Sequence, residues 1–371
     1  MVRHGGEVLI KYLGSKRTLV DDIVAISNSF PLAKSAIDLF SGTARVGHAL
    51  KSNGYQVFSN DHNAYAHTLA TCYVEADLEK YSQVATNLIA ELNLVAPSAG
   101  YFTQTFCLDS RFFQPFNGEK VDAIRERIER MDLDPVLKCV LLVSLMEAAD
   151  RVDSTCGVQM AYLKQWASRS YNPLELRLPR LAAASAHGHC KAIQMEAISA
   201  AEELQADIAY LDPPYNQHSY LGNYHVWESL VLWDKPEVYG IACKRVDCKT
   251  RSSIFNSRKR FAEHFGQLLG KLNSNLIIVS FNNEGYLSQE DLESMLGKLG
   301  VVTTVIRDFK RYVGAQIGIH NLKGEKVGTV SHLRNKELIY VCDRLSDSVS
   351  EGLRRLQSGD QSSLFELVEV A

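Results

Sequence analysis

Asp212, Pro213, Pro214 and Tyr215 follow directly on an apolar run, Asp207 to Leu211 (DIAYL). Two consecutive prolines donate no backbone hydrogen bond and fix φ near about −65°, so a strand has to stop here in a stiff turn. The turn leaves the Asp212 carboxylate and the Pro213 carbonyl as free acceptors beside an aromatic ring. A planar base with an exocyclic amino group calls for that set: two acceptors for its two N–H donors and a ring to stack on. The acceptors draw electron density onto the amino nitrogen and expose its lone pair to an electrophile. The same tetrapeptide also suits a plain strand-ending turn. The apolar strand before it and the tyrosine within it favour chemistry.

Three further segments carry weaker signals. Asp38-Leu39-Phe40-Ser41-Gly42-Thr43 places a glycine just after a strand, where a backbone can approach a ligand at the carboxyl end of an open α/β sheet. Asn60-Asp61 ends the next apolar stretch, 23 positions after Asp38. An acid there suits ribose hydroxyls, and equally the cap of a helix. Lys11-Tyr12-Leu13-Gly14-Ser15-Lys16 is a basic, glycine-containing loop ahead of a helix.

The elements that must hold these segments read as α/β. Ala36–Phe40 and Tyr55–Ser59 are strands flanking a helix around Val46–Leu50, a parallel βαβ unit. Apolar residues recur every three to four positions over 78–94 and 121–150, which predicts two helices packed together outside the sheet. Strand and helix then alternate through Asp207–Leu211, Lys259–Leu272, Asn275–Ser280, Gln289–Leu299 and Val301–Ile306. A hairpin or loop over 314–330 and a last strand, Lys336–Val341, complete the pattern. The expected division is a catalytic α/β core of residues 1–70 and 190–345, a mainly helical insertion at 71–189, and a tail at 346–371. Composition agrees: of 371 residues 46% are hydrophobic and 22% charged, as in a folded globular chain, which excludes disorder, collagen and coiled coil as the main architecture. No apolar run is long enough for a membrane span or a secretory signal. The net charge of −3 argues against a protein that coats nucleic acid wholesale, while leaving room for a basic face. The eight cysteines have no C-x-x-C spacing, and His187, His189 and Cys190 lack a second ligand pair, so neither a disulfide scaffold nor a metal site is expected.

In order and spacing, the four segments resemble those of the adenine-specific DNA methyltransferases of the Dam-like class, which include the methylases of restriction–modification systems. The similarity extends to Gln114–Arg127, Glu147–Leu176, Tyr220–Asp234, Ser280–Gly285 and Lys310-Arg311-Tyr312, and covers most of residues 9–342. It implies a Rossmann-like S-adenosylmethionine-dependent core with an inserted target-recognition region. Tyr12, Lys16, Asp38, Phe40, Gly42 and Asp61 would then border the cofactor, with Asp61 on the ribose. Glu196, in Gln194-Met195-Glu196-Ala197, is the nearest candidate for the acid that contacts the cofactor adenine. Asp212 and Pro213, held by Pro214, would accept from the adenine N6 amino group, and Tyr215 would stack on the extruded base. Ala44 stands where the family often has a second glycine, a change that is tolerable if φ there is negative.

DNA contact is expected from local charge. Seven lysines and arginines face one aspartate between 244 and 260. From this run Lys244, Arg245, Lys249, Arg251 and Arg258 are the candidates, with Lys310 and Arg311 from a second basic, glycine-rich region at 307–336. The alternative for the first run is a solvated loop. In the insertion, Arg151, Lys164, Arg169 and Arg177 accompany Tyr162, Trp166 and Tyr171, and Trp166 is expected in the core. Parts of 70–190 and 216–260 are the expected recognition surface. The resemblance implies double-stranded DNA as substrate, a monomer in the cytoplasm, and a cognate restriction endonuclease encoded nearby. Competing readings are an RNA adenine-N6 methyltransferase, an N4-cytosine or protein-glutamine enzyme, for which Ser or Asn at position 212 would be usual, and a silent DNA-binding subunit.

Overall fold

The structure is a computed structural model that describes residues 10–12, 16–215, 217, 219–282, 285–310, 319–320, 326–328, 334–346 and 353. Its centre is a seven-stranded sheet: β1 (Ser35–Asp38), β2 (Gln56–Asn60), β3 (Lys191–Ile193), β4 (Ile208–Leu211), β5 (Leu276–Asn282), β6 (Val301–Lys310) and β7 (Arg334–Asp343). The spatial order is β3-β2-β1-β4-β5-β7-β6. All pairings are parallel except those of β7, which runs antiparallel to β5 and β6. This is the expected α/β core.

Side-chain alternation shows why the sheet is covered on both faces. Ala36, Ile208, Tyr210 and Ile278 belong to one buried cluster, whereas Ile37, Ala209, Leu211 and Ile277 belong to another. A strand buried on both sides reads as a continuous apolar run, as β5 does. On the first face lie α1 (Val20–Asn28), α2 (Arg45–Ser52), α3 (Ala64–Ala70), α4 (Leu78–Asn93), α5 (Pro115–Glu129) and α6 (Pro135–Val152). The second face is covered by α7 (Ala197–Glu203), α10 (Phe261–Lys271) and α11 (Gln289–Leu296). Between them in sequence, α8 (Tyr220–Asn223) and α9 (His225–Leu232) follow β4.

Residues 71–189 contribute no strand to this sheet, and their apolar side chains merge into the first-face cluster. The single helix expected over 121–150 is two. Asp134 caps α6 by accepting from the amides of Val136 and Leu137, and Pro135 takes the first helical position, where its missing N–H goes unneeded. β3 was not expected; only three residues long, it has no alternation to read. Ile319–His320 and Lys326–Gly328 pair as a small antiparallel hairpin, while the rest of the glycine-rich stretch lies outside the described residues. So does the expected tail, apart from Ser346 and Leu353. Trp166 is not in the core: it is half-buried, with the Arg111 guanidinium 4.7 Å over its ring. No described helix is long and apolar enough to cross a membrane.

Candidate active site

Adjacent strands β1 and β4 each end in a corner, and the two corners border the same cavity. After β1, Ser41 N–H donates to the Asn60 carbonyl and Gly42 N–H to Asp61 Oδ2 at 3.1 Å, which ties the first corner to the end of β2. Gly42 has φ +51°, a left-handed backbone that glycine adopts without strain, and the Tyr12 ring packs within contact distance of it. Asp38 Oδ2 accepts from Gly47 N–H at 2.9 Å, anchoring the first turn of α2. Ala44 has φ +58°, in the left-handed region, which overturns the expectation of a negative angle. Alanine is held in a conformation where glycine would be unstrained, by packing that leaves it 0% exposed. Asp61 does not cap α3, whose N-cap is Asn63; its Oδ1 instead accepts from Asn63 N–H at 2.9 Å.

At the second corner the chain leaves β4 through Asp212-Pro213-Pro214-Tyr215 without regular structure. The Lys16 ammonium lies 3.1 Å from Asp212 Oδ1 and 3.3 Å from Glu337 Oε2 on β7. Its nitrogen is 5.8 Å from the centre of the Tyr215 ring, which packs edge-on against Phe281. Tyr12 is stacked on Tyr224, with ring centres 4.4 Å apart, and on Tyr220, and its hydroxyl meets that of Tyr65 at 3.0 Å. The backbone that joins Tyr12 to Lys16 lies outside the described residues.

Tyr12, Lys16, Asp38, Phe40, Gly42, Asp61 and Asp212 thus border one cleft of about 750 Å³, counting its open mouth. Pro214 also lines it; Pro213 is buried behind, and Tyr215 stands beside the Lys16–Asp212 pair. Glu196 does not join them, being an exposed residue at the N-cap of α7. Sequence reasoning missed Tyr65, Tyr224, Ser253, Asn256 and Glu337. Tyr224 lies in the similar segment Tyr220–Asp234 and Ser253 and Asn256 in the basic run at 244–260, but neither pattern singles them out; Tyr65 and Glu337 sit in no pattern that marks a site.

The electrostatics follow from crowding acids in a dry place. Burial, opposed by the Gly47 amide and reinforced by Asp212 and Asp61, raises the Asp38 carboxyl to about 7. Burial raises Asp212 to about 6, with Lys16 pulling it down and Glu337 pushing it up. For Lys16, burial disfavours the charge, but Asp212 and Glu337 outweigh it and hold the ammonium well above its ordinary range. The cleft therefore holds the buried Lys16 ammonium among carboxylates, and the half-buried Arg45 also lines it. It also has two buried oxygens with no hydrogen bond, Ser41 Oγ and Asn63 Oδ1, facing polar space. Acids for hydroxyls and for a cation, an aromatic wall at Phe40 and unsatisfied polar atoms fit the polar, positively charged cofactor that the sequence resemblance implies.

The basic candidates divide sharply. Arg245 is only 3% exposed; it grips both oxygens of Asp234 at 2.7 Å and those of Asp247 at 3.1 Å. A guanidinium so engaged has a structural role, which corrects its assignment to phosphate. Arg251 is likewise bound to Asp247 and to Glu228, a fully buried acid that accepts from the amides of Ala64 and Tyr65 at the start of α3. Lys249 lies over the Tyr239 ring at 4.2 Å, and the Lys244 ammonium lies beside Gly222 of α8. Arg258, Lys259 and Arg260 are exposed, with no ion pair among the described residues. Lys310 closes β6, and Arg311 lies outside the described residues. In the insertion, Arg169 is held by Asp153 and Arg177 by Glu175.

Comparison with known proteins agrees with this geometry. The chain is 30% identical over 317 residues to the Type II methyltransferase M.FokI of Planomicrobium okeanokoites, covering 80% of this chain and 48% of that protein. To the Type II methyltransferase M.NlaIII of Neisseria lactamica it is 29% identical over 339 residues, covering 88% and 99%. To the modification methylase StsI of Streptococcus sanguinis it is 29% identical over 312 residues, covering 79% and 47%. It therefore spans about half the length of M.FokI and StsI and nearly all of M.NlaIII. Residues 12–295, which contain both corners and the helices between them, match the sequence model of one family. The chain belongs to the D12 class of N6 adenine-specific DNA methyltransferases.

Proposed function

We propose that this chain methylates the N6 amino group of adenine in duplex DNA at a specific sequence, as the methylase of a type II restriction–modification system. The observation that carries the proposal is the Asp212 carboxylate, held on a proline-stiffened corner at the edge of the cleft bordered by Phe40, Gly42 and Asp61. Bound in that cleft, S-adenosylmethionine supplies a methyl group already activated on a sulfonium. Asp61 has lone pairs for ribose hydroxyls, Phe40 offers an apolar wall, and Tyr12, fixed in its tyrosine stack, closes one side.

The protein's own part is alignment. Asp212 and the Pro213 carbonyl accept the two amino protons, which orients the nitrogen lone pair. Tyr215 offers its ring to a base that has left the duplex; the few kcal/mol lost on unstacking are offset by these contacts. Lys16 favours the ionised form of Asp212 against burial. Lys244, Lys249, Arg258, Lys259 and Arg260 are the available phosphate contacts, and parts of 70–190 and 216–260 form the recognition surface. The reading includes a monomer acting in the cytoplasm and a cognate endonuclease encoded nearby.

Sequencing DNA from cells that express the chain tests activity and target together. N6-methyladenine at one short recurrent sequence is expected. Its absence from DNA, with N6-methyladenine appearing in RNA instead, would replace this reading by the RNA one.

A further inference from the structure

We propose that Glu337 is a positioning residue for methyl transfer: it shares the Lys16 ammonium with Asp212 and so keeps the Asp212 carboxylate from closing into a one-to-one ion pair. This rests on the adenine-N6 reading above, in which Asp212 is the acceptor for the amino group.

The sheet brings the three groups together from positions 16, 212 and 337. β4 pairs with β5, and β5 with β7, where Glu337 lies directly opposite Asn282. The Asn282 amide donates to Glu337 Oε1 at 3.4 Å, which turns Oε2 toward Lys16 at 3.3 Å. The Lys16, Glu337 and Asp212 side chains are 6%, 11% and 20% exposed, so water screens their mutual charges weakly. Lys16 bridges the two acids with comparable contacts of 3.1 and 3.3 Å. No other described cation competes. Arg307, the neighbour of Glu337 across β6, is held by both oxygens of Asp22. The remaining groups that face the cluster are Tyr210, whose hydroxyl is bonded to Ser280, Tyr215, Tyr220 and the Asp38 carboxyl.

Two carboxylates around one ammonium leave a net negative charge beside the reacting nitrogen. That matters because N6 must lose a proton. As its lone pair forms the new N–C bond, sulfur regains the electron pair of the broken S–C bond, and one N–H proton departs to an acceptor. Asp212 is the carboxylate in place to take it, passing it later to water. Without Glu337, Lys16 would lie wholly on Asp212, making that oxygen a weaker acceptor and a weaker base.

The test compares wild type, Glu337→Gln and Glu337→Asp. In protein free of cofactor and DNA, carbon NMR of labelled aspartates, with Asp212→Asn for assignment, follows the Asp212 carboxyl. Its midpoint, near 6 in wild type, is expected to fall by about one unit in Glu337→Gln. The acid limb of the kcat profile on duplex DNA is expected to move down with it. Above that limb kcat is expected to drop by about tenfold, the rate equivalent of one pKa unit, with KM for the cofactor little changed and Glu337→Asp restoring part of the loss. An unmoved Asp212 midpoint, or a kcat loss with an unmoved limb and a lowered melting temperature, would make Glu337 a mere brace and overturn the proposal. A wild-type protein that forms no N6-methyladenine would instead sink the functional reading, and the NMR midpoint would still decide whether Glu337 controls Asp212.

Discussion

Two neighbouring strands of this sheet end in an aspartate that borders the same cleft, yet the chain treats Asp38 and Asp212 differently. Asp38 is fixed to the Gly47 amide, 1% exposed, within a corner built from left-handed backbone at Gly42 and Ala44. Asp212 stands on two prolines, more exposed, and pairs with the shared ammonium of Lys16. Backbone curvature lets the first corner approach a ligand closely, and its acid serves the scaffold. Ring constraint stiffens the second corner, and its acid keeps capacity for a substrate. Two acids in similar sequence settings thus differ in whether the fold has already satisfied them.

Four substitutions sharpen that contrast. Lys16→Met should have the largest effect, because it removes the charge that favours ionised Asp212. Methyl transfer at pH 7 should fall by about 10- to 100-fold, the equivalent of a charged hydrogen bond worth roughly 1.5–3 kcal/mol. Part of the rate should return as pH rises and Asp212 loses its proton; a uniform loss across a kcat–pH profile would contradict this. Tyr215→Ala should cost about 1–3 kcal/mol of kcat/KM on duplex DNA, the value of stacking one base. Cofactor affinity by calorimetry should stay within a few-fold, and a selective loss of that affinity would place Tyr215 at the wrong ligand.

At the first corner the effects should be on stability. The Asp38 carboxyl is raised to about 7 in the folded protein, so the folded state holds this proton more tightly than the unfolded chain. Its contribution is therefore fully present below the ordinary carboxyl range and is lost as pH rises to about 7. Asp38→Asn keeps an acceptor for Gly47 and should flatten that decline by at least about 1 kcal/mol, one pKa unit's worth, in denaturant titrations from pH 4 to 8. An unchanged slope would mean that Asp38 ionises as easily in the folded protein as in the unfolded chain. Ala44→Gly should be the smallest change, a gain of roughly 0.5–1 kcal/mol from relief of the left-handed alanine. A loss of melting temperature would show that the Ala44 methyl group contributes more packing than strain.

The same contrast explains what the sequence disclosed. Asp-Pro-Pro-Tyr and the glycine turn after β1 are local: ring closure and missing side chains force backbone behaviour wherever they occur, so strand ends and corners could be read directly. The apolar alternation of β1, β4 and β5 likewise reports two covered faces. Features that depend on distant partners were hidden. Arg245 looked like a phosphate contact because Asp234, eleven residues away, gave no sign that it would grip the guanidinium. Glu337 sat unremarked in a strand because only cross-strand register sets it opposite Asn282. The sign of φ at Ala44 is imposed by the surrounding packing. Pro135, which divides the helix expected over 121–150, was the one legible signal left unread.

The central claim is that Asp212 presents its carboxylate to an adenine amino group beside the cofactor cleft. Its most direct test incubates duplex DNA and methyl-labelled S-adenosylmethionine with wild type and with Asp212→Ala, then digests the DNA to nucleosides. The account predicts label in N6-methyladenine for wild type alone, while the variant still binds the cofactor within a few-fold. Near wild-type turnover by the variant, or label in N4-methylcytosine, would contradict it.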